Sequence, residues 1–268
     1  MGIVNCTPDS FYPGSRRATR EAAIAAARDM IAAGADILDV GGESTRPGSD
    51  PVDASTEAGR VSPVIEAIRA ESDIPVSIDT RKAAVAAAAL DAGATFVNDV
   101  SGLRDDPGLA SLVAERGVAV VIMHMRGTPK TMQNRPHYED TIADILEELR
   151  ARVRFATEAG VAADRIIVDP GIGFGKTVDD NLRILAAVGR FREELAAPVL
   201  IGLSRKSFIG KVLATADEPL PVEERLAGSL ACHARVAADG ADILRVHDVA
   251  ETVQFFRMLE AIDRVERE

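Results

Sequence analysis

Side chains able to do chemistry recur at one kind of place in this sequence, at or just after the end of short runs of Val, Ile and Leu. They are Asn5, Asp39, Asp79, Asn98 with Asp99, His124, Asp169, Lys206, and Arg245 with His247. A single Asp after a strand is commonly no more than the cap of the next helix. Eight such junctions filled at once go beyond what capping requires. The charges also sort by position. Arg46, Lys206, Arg245 and His247 are cations at the second, seventh and eighth junctions. Arginine's planar fork and lysine's point charge can together clamp a phosphate or diphosphate. Asp79, Asn98 and Asp169 close the third, fourth and sixth runs. Carboxylate and amide groups facing one pocket suit a flat heterocycle presenting ring N–H, amino and carbonyl groups. A salt bridge to a neighbouring base is the plainer alternative for each acid.

These residues can converge only if the elements between them carry every junction to the same side. Gly2–Asn5, Ile37–Val40, Val76–Asp79, Phe96–Asp99, Ala119–His124, Ile166–Asp169, Val199–Gly202 and Ile243–Val246 read as strands. Between them, Arg20–Ala33, Ala83–Ala92, Thr141–Ala159 and Glu223–Ala238 carry helical periodicity. Gly34, Gly93, Gly117, Gly160 and Gly240 fall where helix C-caps belong. The unit Gly34-Ala35-Asp36-Ile37-Leu38 returns as Gly240-Ala241-Asp242-Ile243-Leu244. Strand–helix alternation means right-handed crossovers and a parallel sheet. Eight units in ~250 residues is the size of a TIM barrel. We therefore expect a single (β/α)8 TIM barrel over residues 1–268, with a doubly wound open sheet as the alternative. In such a barrel the site lies at the C-terminal ends of the strands, with phosphate held by the seventh and eighth loops. Gly127–His137 and Ala216–Val222 read as loops within that one domain. Met1-Gly2 falls at or inside the first strand, which leaves little to close the barrel's bottom. Ala250–Glu268 reads as a last helix, and its stripe of Val253, Phe256, Leu259 and Ile262 is expected to pack on the barrel rather than on a second copy.

Composition narrows the classes. A net charge of −11 argues against a broad nucleic-acid face. No apolar run reaches the ~18 residues of a membrane helix. Cys6 and Cys232 are far apart and lack CxxC partners, which excludes a disulfide scaffold and a structural zinc site and fits a reduced, cytoplasmic enzyme. Gly171-Ile172-Gly173-Phe174-Gly175-Lys176-Thr177 resembles a phosphate-binding P-loop, but the position that needs its first glycine holds Pro170. No GxGxxG follows a strand, and neither GxSxG nor HExxH occurs. The four histidines are not spaced as a metal cluster, and His233 reads as packing or surface. A hard cation held mainly by substrate phosphates needs few protein ligands, and Asn5 could supply one.

The segments Met1-Gly2-Ile3-Val4-Asn5-Cys6-Thr7-Pro8-Asp9-Ser10-Phe11 and Asp39-Val40-Gly41-Gly42-Glu43-Ser44-Thr45-Arg46-Pro47-Gly48 go further. They resemble the two signatures of the dihydropteroate synthase family. Ser77-Ile78-Asp79-Thr80, Asn98-Asp99, Met123-His124-Met125, Asp169–Lys176, Ser204-Arg205-Lys206-Ser207 and Arg245-Val246-His247-Asp248 continue the resemblance in order. It implies a TIM barrel, usually a homodimer, that joins 6-hydroxymethyl-7,8-dihydropterin diphosphate to p-aminobenzoate in folate biosynthesis. By that resemblance Asn5 is the ligand of a Mg²⁺ that also holds the diphosphate, and Thr45, Arg46, Arg245 and His247 form the diphosphate clamp. Asp79, Asn98, Asp169 and Lys206 line the pterin pocket, with Asp39, Met123 and Gly202 around it. Thr45, Pro47, Phe174, Lys206 and Ser207 form the p-aminobenzoate side, where sulfonamides compete. Asp79, Lys206, Arg245 and His247 are the residues expected to carry catalysis. Two departures stand out: Cys6 replaces a small aliphatic residue, and Tyr12-Pro13-Gly14-Ser15 replaces Ser-Asp-Gly-Gly. The competing readings are a methyltetrahydrofolate-binding methyltransferase barrel, a non-catalytic pterin-binding module and a lysine Schiff-base aldolase. The first shares the pterin pocket but has no use for the diphosphate cluster and carries a DxHxxG motif that this sequence lacks. The second would show a lost lysine or first-loop asparagine, and the third would place Lys206 at the end of an apolar strand.

Overall fold

A computed structural model describes residues 1–7, 20–44, 49–128, 130–215 and 218–266. Six strands form one parallel sheet in chain order: β1 (Gly2–Asn5), β2 (Leu38–Gly41), β3 (Val76–Asp79), β4 (Phe96–Asp99), β5 (Ala119–Met123) and β6 (Ile166–Asp169). β7 (Leu200–Ile201) and β8 (Ile243–Leu244) pair in parallel beside it. Two bridges close the ring. Val168 pairs with Val199, its N–H donating to the Pro198 carbonyl at 2.9 Å, and Gly2 pairs with Val246. The Ile3 N–H donates to the Val246 carbonyl at 3.0 Å, and the Val246 N–H to that of Met1 at 2.9 Å. The eight strands thus form the expected (β/α)8 barrel rather than an open sheet.

The helices are α1 (Arg20–Ala32), α2 (Ala54–Arg69), α3 (Ala83–Asp91), α4 (Pro107–Arg116), α5 (Thr141–Glu158), α6 (Val178–Leu185), α7 (Val188–Leu195), α8 (Ser207–Val212), α9 (Leu226–Ala238) and α10 (Val249–Glu266). The main core lies between them and the strands. Val4, Val40, Ile78, Val97, Ile122, Val168 and Ile201 face outward into it. Met1, Phe96, Val121 and Leu200 form a smaller cluster inside the ring. Because successive strand residues point to opposite faces, the residues that share the inward phase are Asn5, Asp39, Gly41, Ser77, Asp79, Asn98, Met123 and Asp169. This phase, with the parallel register Asn5–Gly41–Asp79–Asn98, gathers the polar strand ends at one mouth.

Some elements differ from the sequence reading. β7 and β8 are two residues long. α9 begins at Leu226, after a separate 3₁₀ turn at Val222–Glu224. The Ile262 end of α10 does not pack on the barrel. Val249 and Thr252 are buried, whereas Met258, Ile262 and Val265 are 62%, 47% and 73% exposed, so only the first half of the helix is covered. Among the described residues no helix is long and apolar enough to cross a membrane.

Candidate active site

The floor of the mouth is a charge bridge across the barrel. Asp39, fully buried on β2, accepts hydrogen bonds from Ser77 Oγ, from Asn98 Nδ2 at 3.2 Å and from Arg245 Nε at 2.5 Å. Arg245, just beyond β8, also donates from Nη2 to Asp79 Oδ2 at 2.7 Å. Burial pushes the Asp79 carboxyl up to about 7, Arg245 pulls it back, and the neighbouring Asp39 charge adds to the rise. Burial alone would lower Arg245, but the two carboxylates more than offset it and raise its pKa. Gly41 lies between β1 and Asp79, and a Cβ there would sit 3.5 Å from that of Asp79.

The opposite wall is built by the loop after β6. Asp169 is buried and accepts the Gly171 N–H at 2.7 Å. Burial raises its pKa, with the charges of Lys206 and Lys176 acting the other way. Lys206, the N-cap of α8, donates to the Ile172 carbonyl and holds its Nζ 4.5 Å from the centre of the Phe174 ring. Burial pushes this lysine down to about 7, and Asp169 draws it back up. Met123 is buried with Val100, Met125 and Met132, and Phe174 packs against that cluster. Gly202 lies beside Arg245, and Ser207 is exposed on the first turn of α8. Gly171 is the tightest position in the loop. Its φ is +73° and a Cβ would lie 1.9 Å from the His124 carbonyl oxygen.

The remaining expectations divide. Asn5 is half-buried at the end of β1. His247 is near the mouth, beside Arg245. Its ring Nδ1 lies 3.2 Å from Ser204 Oγ, and burial together with Arg245 pushes its pKa down to about 4. Asp99 has the outward phase and serves the turn after β4, accepting the N–H groups of Ser101 and Leu103 at 2.7 and 2.6 Å. His124 also turns away, toward Glu148 and Lys176. Thr45, Arg46 and Pro47, with Tyr12–Ser15, lie outside the described residues. Three residues of the site's surroundings were not singled out from sequence. Ser77 has a readable signal, being two positions before Asp79 and therefore on the same face. Lys176 was weighed only within the P-loop-like run. Arg205 has no local signal: it forks onto Asp248 at 2.8 and 2.9 Å and reaches the Val222 and Glu223 carbonyls, tying the seventh loop to the eighth. Among the described residues no group of three or more His, Cys, Asp or Glu could hold a metal ion.

A closed β/α barrel with buried acids and amides on one side of its mouth, and a half-buried Arg and Lys beside them, defines an enzyme class that recognises a polar heterocycle next to an anion. Residues 1–247 match the family of pterin binding enzymes. The dihydropteroate synthase of Synechocystis sp. is 45% identical over 264 residues, covering 98% of this chain and 90% of that one. The structure of Yersinia pestis dihydropteroate synthase in a sulfonamide drug complex superposes with a TM-score of 0.91 at 40% identity, covering 98% and 93% of the two chains. Xanthomonas albilineans dihydropteroate synthase with 4-aminobenzoic acid gives 0.88 at 45% identity, covering 98% and 92%. The chain belongs to the dihydropteroate synthase family of pterin binding enzymes.

Proposed function

We propose that this enzyme condenses 6-hydroxymethyl-7,8-dihydropterin diphosphate with p-aminobenzoate to give 7,8-dihydropteroate and diphosphate, with the site residues acting as follows. The observation that carries the reading is the Asp39–Arg245–Asp79 bridge, with Asn98 bonded to it and Asp169 on the facing wall. Asp79, Asn98 and Asp169 supply acceptors and a donor for the ring N–H, amino and carbonyl groups of a pterin. Arg245 and Lys206 face the leaving diphosphate, and Thr45 and Arg46 complete that clamp. Ser204 Oγ accepts the His247 backbone N–H at 3.3 Å and lies 3.2 Å from the ring Nδ1, which fixes where the imidazole stands beside Arg245. As the C–O bond lengthens, positive charge grows on the pterin methylene, and the carboxylates of Asp79 and Asp169 offset it. The arylamine of p-aminobenzoate, held by Phe174, Lys206, Ser207 and Pro47, attacks that carbon. No protein nucleophile is needed.

One amide oxygen, from Asn5, suits a hard cation whose other ligands are diphosphate oxygens and water, because Mg²⁺ keeps few protein ligands beside substrate phosphates. When bound, Mg²⁺ neutralises charge on the departing diphosphate. A homodimer in the cytoplasm completes the reading. Exposed Leu182 on α6 and Val212 and Leu213 at the end of α8, on helices that pack together, are where a second copy would dock. In steady-state assays a sulfonamide should raise the apparent KM for p-aminobenzoate and leave that for the pterin diphosphate alone. Condensation indifferent to sulfonamide would contradict the assignment of Phe174 and Lys206 to the p-aminobenzoate side.

A further inference from the structure

Lys176 takes no part in the chemistry above, yet it is a buried lysine, 4% exposed, at the foot of the β6 loop. Its Nζ donates to the Phe174 carbonyl at 3.0 Å and to His124 Nδ1 at 3.0 Å. Lysine only donates, so His124 Nδ1 is the acceptor and its Nε2–H donates to Glu148 Oε2 at 3.1 Å. Glu148 in turn accepts from Arg126 Nε at 2.7 Å. The row Lys176–His124–Glu148–Arg126 therefore has a fixed direction and joins the β6 loop to α5.

The loop itself is held by its carbonyls. Four in succession accept from side chains: Ile172 from Lys206, Gly173 from Gln133 Nε2 at 2.8 Å, Phe174 from Lys176 two residues on, and Gly175 from the Tyr138 hydroxyl at 2.8 Å. Gly171, Gly173 and Gly175 have φ of +73°, +80° and +60°, so no regular secondary structure holds this segment. Of the four donors, Lys206 faces the site and Gln133 is exposed. Tyr138 and Lys176 are the buried anchors. Lys176 grips the residue whose ring lies under the Lys206 ammonium.

We propose that Lys176 is a positioning residue. By pinning the Phe174 carbonyl to the His124–Glu148 row, it fixes the Phe174 ring against Lys206 and so shapes the p-aminobenzoate side rather than the pterin pocket. This rests on the reading of Phe174 given above, but it has a readout independent of turnover. The chain has no tryptophan, so Phe174→Trp places a single indole reporter in the loop.

The test compares Lys176→Met, which keeps the apolar stem and removes the donors, with the parent enzyme. The expected result is a KM for p-aminobenzoate raised about tenfold or more, as loss of a charged hydrogen bond implies. The affinity for a pterin alone, by titration calorimetry, should change less than about twofold. In the Phe174→Trp background, Lys176→Met should add a fast component to the fluorescence anisotropy decay. A folded Lys176→Met enzyme with unchanged p-aminobenzoate KM and unchanged anisotropy overturns the proposal, as does an equal loss of pterin affinity. If Lys176→Met does not fold, Tyr138→Phe removes a single anchor and should raise the same KM by a smaller factor; no change in that variant likewise overturns it. A parent enzyme that makes no product would count against the proposed function, while the indole reporter would still decide the role of Lys176.

Discussion

Arg245→Gln is the perturbation that reaches furthest into this structure. Arg245 is the shared cation of two buried carboxylates, with Asp39 fully buried and Asp79 at 8% exposure. Removing one partner of a buried ion pair costs about 3–5 kcal/mol, because the remaining charge keeps its desolvation penalty. At roughly 2–4 °C per kcal/mol for a chain of this size, the melting temperature should fall by about 10 °C. The loss should depend on pH. The folded-state pKa of Asp79 lies near 7, above its ordinary value of 3.8, so the folded state holds a proton that the unfolded state gives up. Stability on this account falls as pH rises from about 4 to about 7 and then levels. At pH 5 Asp79 is protonated, and Arg245→Gln strips the cation from Asp39 alone. At pH 8 it strips it from both. Differential scanning calorimetry of the two proteins at pH 5 and pH 8 should therefore show the larger gap at pH 8. A gap under about 2 °C at pH 8, or a larger one at pH 5, would refute the reasoning.

Four other outcomes follow from the same structure. Asp169→Asn should weaken pterin binding by about ten- to a hundredfold, the range for a hydrogen bond to a charged group, and calorimetric titration with a pterin checks it. Gly171→Ala should fail to give soluble protein, because its Cβ would meet the His124 carbonyl at 1.9 Å. Gly59→Ala on α2, where nothing lies within 4 Å, should raise stability by ~1 kcal/mol in urea titration. Cys6, whose thiol burial pushes up to about 12, and Cys232, raised by the same cause, should react with a thiol reagent only after unfolding. Rapid labelling of either in the native enzyme would show that burial does not suppress the thiolate.

How much of this could be read beforehand depends on how local the cause is. The polar strand ends were legible because the pleat alternates: Asp39, Ser77, Asp79, Asn98 and Asp169 share the inward phase. The same rule turns Asp99 outward into its own turn, although it adjoins Asn98. The ring closure was legible as eight units, but the two-residue β7 and β8 were not, since their register depends on bridges to Val168 and Gly2. His247 and His124 show the limit from the other side. Burial and the field of Arg245 push the His247 pKa down, and Glu148 and Lys176 draw His124 out of the site. Those partners are distant in sequence and carry no local signature. The exposed end of α10 failed the sequence reading for a similar reason. An apolar stripe shows that a face is suited to packing, not how far its support extends.

The most direct test is to incubate the enzyme with 6-hydroxymethyl-7,8-dihydropterin diphosphate, p-aminobenzoate and Mg²⁺ and to measure 7,8-dihydropteroate by mass spectrometry. The account predicts product formation that requires both substrates, stops with EDTA and resumes when Mg²⁺ is restored. Binding of the pterin with no dihydropteroate formed would contradict it.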